Sequence, residues 1–285
     1  MKTTFFQDRI AIVTGASKSI GRATCLELAQ RGAHLCLGSR DIAGMEETAA
    51  GVRLQGREAL VVQTDVTRQE QVQALVDQAI RHFERVDILV ANAGIYVRSS
   101  VEGLDIATLQ HSMATNFYGA AHCVLATLPH MLAQGSGNIV LVSSFDGKKA
   151  LPGDAPYACA KFALNALGET MRQELSPRGI YTSIILPGRV DTDFMAGLRV
   201  PRIQPPIPAE SVARAIARAI QHRRAEVIMP TRVLGLYYLN AIHPRLGDLV
   251  VRLFHIQGWE EGAKLTTESQ RTQRNKLMSE RDNED

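Results

Sequence analysis

The sequence predicts an α/β fold, a doubly wound parallel sheet with helices on both faces. Three observations carry that expectation. Short, apolar, β-branched runs alternate with longer segments of helical periodicity along most of the 285 residues, and strands joined through helices lie parallel, connected by right-handed crossovers. The runs are apolar throughout, as strands covered on both faces must be. The first of them leads into a glycine-bracketed turn that opens a helix, the first βα unit of a Rossmann-type sheet.

RIAIVT (9–14) is the first strand, and TGASKSIG (14–21) turns the chain into a helix. In that helix Ile20, Ala23, Thr24, Leu26, Glu27 and Leu28 mix an apolar stripe with polar positions. AHLCLG (33–38) is the second strand, followed by a helix to about residue 54. EALVVQT (58–64) is the third; Thr67 then caps a helix carrying Val72, Leu75, Val76, Ala79 and Ile80 on one face. DILVANAG (87–94), GNIVLVSS (137–144), YTSIILPG (181–188) and EVIMP (226–230) continue the strand series. Residues 193–208 hold Pro201, Pro205, Pro206 and Pro208 and read as a long loop of the functional kind. One domain is expected over 1–257, with 193–210 as a loop over the site and 231–257 as a C-terminal helical extension. Residues 258–285 turn polar and read as a frayed tail.

Composition narrows the function classes. A hydrophobic content of 45% supports one large core. The formal charge of +3 gives no footing for nucleic acid, which calls for a concentrated basic face. Cys25, Cys36, Cys123 and Cys159 lie far apart within helical or strand segments. They read as buried free thiols of a reducing compartment, not as a disulfide frame or a zinc site, and no metal is expected. The chain opens without an apolar leader, and no run reaches the ~18 apolar residues of a membrane span. A soluble, cytoplasmic protein is expected.

Gly15 and Gly21 bracket a turn where backbone can approach a phosphate closely and the helix N-terminus offers N–H groups and a positive dipole end. Alone, this is also ordinary βα punctuation; its place in the first unit favours the phosphate. Asp65, after the third strand, can accept from an adenine amino group or simply form an Asx turn. Asn92-Ala93-Gly94 ends the fourth strand with small residues that let backbone pass close to a bound ring. All of these fall at the carboxyl ends of strands, the ligand crevice of this architecture.

YACAK (157–161) sets Tyr157 and Lys161 one helical turn apart on one face. A phenol of pKa about 10 is a poor acid–base group at neutral pH, and an ammonium one turn away favours the phenolate. Ser144, thirteen residues earlier at a strand end, can hydrogen-bond a carbonyl and a developing alkoxide. Asn116 begins another helix, either as a cap or to orient a water beside Lys161.

In order and spacing, this set resembles the short-chain dehydrogenase/reductase family in its single-domain form. The likeness runs from about Arg9 to Pro230. It rests on TGASKSIG, Asp65-Val66, ANAG (91–94), Asn116, Ser144, Tyr157 with Lys161, and PGRVDT (187–192). The resemblance implies an oxidoreductase that interconverts a ketone or aldehyde and an alcohol by hydride transfer. Tyr157 would be the general acid for reduction and the base for oxidation. Lys161 would lower the tyrosine pKa and bind the nicotinamide ribose. Ser144 would hold the substrate oxygen, and Asn116 the water of a proton relay. Gly15, Ser17, Lys18, Ser19, Ile20 and Gly21 would cradle phosphates, Asp65 and Val66 would meet the adenine, and Asn92, Ala93 and Gly94 would pass beside the cofactor. Pro187, Gly188, Val190 and Thr192 would line the nicotinamide. Phe145 and Phe194 would join Ser144 and Tyr157 around the substrate.

Three departures stand out. Ser19 occupies a usual glycine position, Ala91 a position where asparagine is frequent, and Asp146 one where small residues are usual, which implies a partly polar substrate. At the end of the second strand, a carboxylate would bind ribose hydroxyls and repel a 2′-phosphate. That place holds Ser39 followed by Arg40, which with Lys18 suits a phosphate dianion. NADP(H) is therefore expected, with Asp41 the dissenting charge. A non-catalytic dinucleotide-sensing or scaffold protein on the same fold is the alternative, yet it would have no use for the tyrosine and lysine. A methyltransferase shares the glycine loop but needs no Ser/Tyr/Lys set. The expected partner is a small-molecule carbonyl or alcohol. Residues 199–256 carry nine arginines and three acids among apolar stretches. They read first as the subunit interface of a homodimer or homotetramer, with 231–257 on an anionic membrane surface as the other reading.

Overall fold

The computed structural model describes residues 4–192, 198–199, 205–256 and 259–260. Its first half alternates β1 (Ile10–Thr14), α1 (Ser19–Gln30), β2 (His34–Ser39), α2 (Ile42–Arg53), β3 (Ala59–Gln63), α3 (Gln69–Phe83) and β4 (Ile88–Ala91). α4 (Ile106–Met113), α5 (Gly119–Gln134), β5 (Gly137–Val142), α6 (Ala155–Leu175) and β6 (Ile180–Pro187) follow. Then come β7 (Leu198–Arg199), α7 (Ala209–Gln221), β8 (Glu226–Met229), α8 (Leu234–Ile242), α9 (Pro244–Leu253) and β9 (Trp259–Glu260).

Seven strands form one parallel sheet in the order β3-β2-β1-β4-β5-β6-β8. Alternate side chains point to opposite faces, and each face has its own core. Val13, Leu37, Val90 and Val140 meet α1, α2 and α7 on one side. Ile12, Cys36, Leu89 and Leu141 meet α3, α5 and α6 on the other. The strand order reverses between β1 and β4, which opens the crevice at their carboxyl ends.

The strands stop short of their motifs. Asn92–Gly94, Ser143–Ser144 and Gly188 lie beyond the ladder, where the chain bends away from the sheet into loops. Three expectations are corrected. Thr67 does not cap α3: Arg68 holds that place, and Thr67 instead donates its amide and hydroxyl to Asp65. Asn116 does not begin a helix; it sits inside a π-turn, Ala114–Tyr118, that joins α4 to α5. Cys159 is exposed, because it lies on the outer face of α6, whereas Cys25, Cys36 and Cys123 are buried.

The long proline-rich segment is pinned at its return, where Ile207 pairs with Val190. Phe194 lies outside the described residues, as does the expected tail apart from Trp259 and Glu260, which pair antiparallel with Leu198 and Arg199. α8 and α9 close a third apolar cluster with Phe145, Val233, Leu236, Val251 and Ile256. Their outward face leaves Ile242 (84%) and Leu253 (65%) exposed. Among the described residues, no helix is long and apolar enough to cross a membrane.

The entry to β4 is fixed by a buried carboxylate. Asp87 Oδ2 accepts the Ile10 amide at 2.9 Å, and Oδ1 accepts Arg85 Nη2 at 2.6 Å. Asp87→Ala strands the Ile10 amide and is expected to cost about 1–3 kcal/mol. Urea unfolding measures this, and an unchanged midpoint would rule the carboxylate out as the tie.

Candidate active site

The crevice is a cavity of about 830 Å³ that runs from the glycine turn to the start of the C-terminal helices. At one end, α1 begins without a side-chain cap. Its first intrahelical bond runs from the Arg22 amide to the Lys18 carbonyl, so the amides of Ser19, Ile20 and Gly21 remain for a ligand. The turn is tight: a Cβ on Gly21 would collide with the Gly15 carbonyl. Ser19 adopts φ +52°, where glycine is at ease; a left-handed serine costs about 1–2 kcal/mol. Ser39, Arg40, Asp65 and Val66 line the same end.

Asn92 braces the turn. Its side-chain amide donates to the Thr14 carbonyl at 2.9 Å, and Thr14 Oγ1 accepts the amides of Asn92 and Ala93 at 3.1 and 3.2 Å. The Asn-Ala-Gly motif thus ties β4 to β1 as well as lining the cavity. Gly94 brings the chain so close to Asn116 that a Cβ would lie 2.8 Å from its Oδ1. Asn116 is buried with its side chain committed to Ile95, whose amide it accepts (3.0 Å) and to whose carbonyl it donates (2.9 Å). It therefore stands behind the cavity wall, while the other predicted site residues within the described chain line the cavity itself.

At the far end, Ser144 leaves β5 and Tyr157 and Lys161 project from α6. Lys161 Nζ, buried, donates to the Val142 carbonyl at 2.9 Å and lies 5.5 Å from the Tyr157 ring centre. The Tyr157 hydroxyl hydrogen-bonds with Ser144, and its ring meets Tyr96 edge-on at 5.1 Å. The serine, tyrosine and lysine thus converge at one end of a cleft whose other end is an uncapped helix start.

Comparison with known proteins agrees with that geometry. A family model described as short chain dehydrogenase matches residues 9–202. The chain belongs to the short-chain dehydrogenase family. It is an oxidoreductase of that family. A cis-4-hydroxycyclohexanecarboxylate dehydrogenase from Sinomonas cyclohexanicum is 39% identical over 195 residues, 68% of this chain and 78% of its own. A short chain dehydrogenase/reductase from Burkholderia phymatum in complex with NAD superposes with a TM-score of 0.77 at 27% identity, covering 85% of this chain and 95% of its own. An alcohol dehydrogenase from Thermococcus sibiricus complexed with 5-hydroxy-NADP gives 0.71 at 26% identity, covering 78% and 96%. One neighbour holds NAD and the other an NADP derivative, so the likeness itself does not choose between them.

Within this short-chain dehydrogenase, electrostatics correct one expectation. Burial first, then the charge of Asp146, pushes Tyr157 above the ordinary phenol range rather than below it. The reason is geometric, since Lys161 is held on the Val142 carbonyl and not on the phenol oxygen. Burial also lowers Lys161 to about 8, against the pull of Asp146. Asp65 is lifted by burial, but the Thr67 bonds and the charges of Arg40 and Arg68 bring it below the usual carboxylate range.

Sequence reasoning missed a charged cluster at the substrate end. Asp154 is buried, accepting the Tyr96 hydroxyl at 2.8 Å and Arg98 Nε at 2.9 Å. Arg189, between two predicted cofactor positions, lines the cavity and donates to the Ile256 carbonyl. The available signals were charges set directly inside or beside motifs: Arg189 after Pro187-Gly188, and Asp154 three residues before Tyr157. Arg22 was missed as well. It binds the Ser17 carbonyl (3.1 Å) and Glu47 (2.8 Å), bracing the turn against α2.

Burial, and then the neighbouring Asp154, raises Asp146 to about 7. Between the ordinary carboxylate range and that value, the folded chain holds a proton that the unfolded chain has lost. This group's contribution to stability is therefore present at low pH and is lost as pH rises toward neutrality. Asp146→Asn is expected to gain stability relative to the parent as pH rises from about 4 to 7. Melting temperatures across that range measure it; parallel curves would contradict the shift.

Proposed function

We propose that this short-chain dehydrogenase interconverts a ketone or aldehyde and an alcohol, preferring NADP(H), with Tyr157 exchanging the proton. The observation that carries the reading is the meeting of Ser144, Tyr157 and Lys161 in the same cleft as the uncapped start of α1. A nicotinamide dinucleotide fits the donor set: helix amides for the pyrophosphate, cations at the end of β2, and a lysine beside the tyrosine. Bound there, it supplies hydride for reduction and takes it back in oxidation. Tyr157 gives its proton to the carbonyl oxygen in reduction and receives the alcohol proton in oxidation. Ser144 holds that oxygen. Lys161, short of full protonation in its buried state, gains a reason to stay charged when ribose hydroxyls and a phenolate approach it.

The preference for a 2′-phosphate rests on the end of β2. Ser39 donates to the Ser17 hydroxyl at 3.2 Å, and Asp41 caps α2 by accepting the Gly44 amide at 3.0 Å. The strand end proper thus carries a hydroxyl and Arg40 instead of a carboxylate. The Sinomonas relative is named for a hydroxylated cyclohexanecarboxylate, so cyclic ketones and keto acids head the substrate panel.

Tyr157→Phe is expected to lower turnover by about 10²–10⁴-fold while NADPH fluorescence titration gives a near-parental Kd. Full activity in that variant would refute the assignment.

Arg40→Ala is expected to remove about 1.5–3 kcal/mol of charge-assisted binding, or roughly 10- to 100-fold in kcat/KM for NADPH, with little change for NADH. Ser39→Asp added to it should carry the preference further toward NADH. A parental preference for NADH, or a ratio indifferent to Arg40→Ala, would reverse the cofactor reading.

A further inference from the structure

Ser144 has one proton to give, and Asp146 competes for it. Ser144 Oγ accepts the Asp146 amide at 3.1 Å and donates to Asp146 Oδ2 at 3.3 Å. While Asp146 is ionised, the serine proton points at the carboxylate, and the remaining lone pair can only accept a bond. Once the Tyr157 hydroxyl turns from Ser144 to the substrate oxygen, a protonated Asp146 donates to that lone pair instead, which turns the serine proton out toward the reacting oxygen. The hydride step builds negative charge on that oxygen, so a donor there speeds the reaction and an acceptor does not. The same transition state serves both directions, so both gain from the donor.

We propose that Asp146 is a positioning residue that decides whether Ser144 donates to the developing alkoxide, and that turnover runs through the form in which Asp146 carries a proton. The proposal rests on the roles given above to Ser144 and Tyr157. Asp146 itself neither gains nor loses a proton in a turnover, since the proton reaching the substrate oxygen comes from Tyr157.

The surroundings favour the protonated state. Asp154 faces Asp146 from the turn before α6 and opposes a second negative charge. Arg189, from the segment after β6, and Arg98, from the segment after β4, act in the other sense. Arg98 already pairs with Asp154 at 2.9 Å, and Arg189 is drawn toward the Ile256 carbonyl. Tyr96, beside Arg98, gives its hydroxyl to Asp154. From α6, Lys161 is occupied by the Val142 carbonyl, and Tyr157 is neutral. Lys148 and Lys149, shortly after it in sequence, are paired with Glu226 and Asp248. The C-terminal segment contributes Val233, Ile256 and Arg232, the last bound to the Pro205 carbonyl. Arg98 and Lys161 thus have other claims on them, Arg189 keeps a buried Nη1 without a hydrogen-bond partner among the described residues, and the burial of Asp146 tips the balance toward the acid.

The test is kcat from about pH 5 to 9, with NADPH and the best ketone of the panel, for wild type, Asp146→Asn, Ser144→Ala and the double variant. The parent is expected to lose up to about 10²–10³-fold as pH rises through neutrality. Asp146→Asn should lack that limb, staying flat to at least about one pH unit higher. In the Ser144→Ala background, Asp146→Asn should change nothing further, because the proton they contest is gone. Near-parental melting at low pH and a near-parental NADPH Kd for Asp146→Asn exclude a folding defect. An alkaline limb of unchanged position in Asp146→Asn, in an enzyme that still requires Tyr157, overturns the role of Asp146 alone. Turnover that survives Tyr157→Phe overturns the functional reading beneath it.

Discussion

The site depends on one polar clamp at the point where the sheet reverses direction. Thr14, the last residue of β1, is fully enclosed and accepts two amides from the end of β4. Asn92 returns a donor to the Thr14 carbonyl. Parallel strands diverge beyond their ladder, and here buried amides at the divergence need partners that water cannot supply. Meeting that need holds the glycine turn and the Asn-Ala-Gly turn at a fixed spacing. Everything downstream inherits it: Gly94 reaches Asn116, Asn116 fixes Ile95, and the segment after it carries Tyr96 and Arg98 into the substrate end.

The two ends of the cleft are built on opposite electrostatic plans. The α1 end offers amides, a dipole and solvent-facing cations, arranged for a ligand that brings its own negative charge. At the substrate end, two carboxylates and two guanidiniums are placed around a tyrosine and a serine. Charges desolvated in this way are tolerable only when paired, as Asp154 is by Arg98, or neutralised, as burial favours for Asp146. The apolar cluster of Phe145, Val233, Leu236, Val251 and Ile256 closes over them and keeps the local dielectric low. Small changes of protonation there consequently matter more than they would in water.

The fold was legible in the sequence because apolar strands covered on both faces leave a nearly unambiguous pattern, and all seven sheet strands lie where such runs occur. Their ends were not, because Asn92–Gly94 and Ser143–Ser144 remain apolar or small while leaving the ladder, and composition does not register a bend. Much of the cavity wall was legible too, since Gly15, Ser144, Tyr157 and Lys161 recur at characteristic spacings. Asn116 was misplaced because a π-turn continues the helical periodicity on both sides and hides the residue within it. The Asp154, Arg98 and Arg189 cluster was illegible for a different reason. Its members come from three distant segments, and only the fold shows that a lone charge beside each motif has the others for company. The pKa of Tyr157 likewise depends on where the Lys161 ammonium points, and a four-residue spacing does not specify that.

The bracing of the turn also fixes the carboxylate that follows β2. Arg22 spans from the Ser17 carbonyl to Thr48 and the Gly44 carbonyl, so the glycine turn is tied to the start of α2. Asp41 is spent on that same helix start, where its carboxylate satisfies the Gly44 amide and the positive dipole end. A Cβ at Gly44 would lie 2.5 Å from the Asp41 carboxylate and 3.0 Å from Ser17, so this capping turn has no room for a side chain at that position. Turning the Asp41 carboxylate outward would strand an amide, at about 1–3 kcal/mol, before any new bond was made. The carboxylate that follows β2 is in this way engaged by the helix it starts, while Asp41, Arg40 and Lys18 all line that end of the cavity.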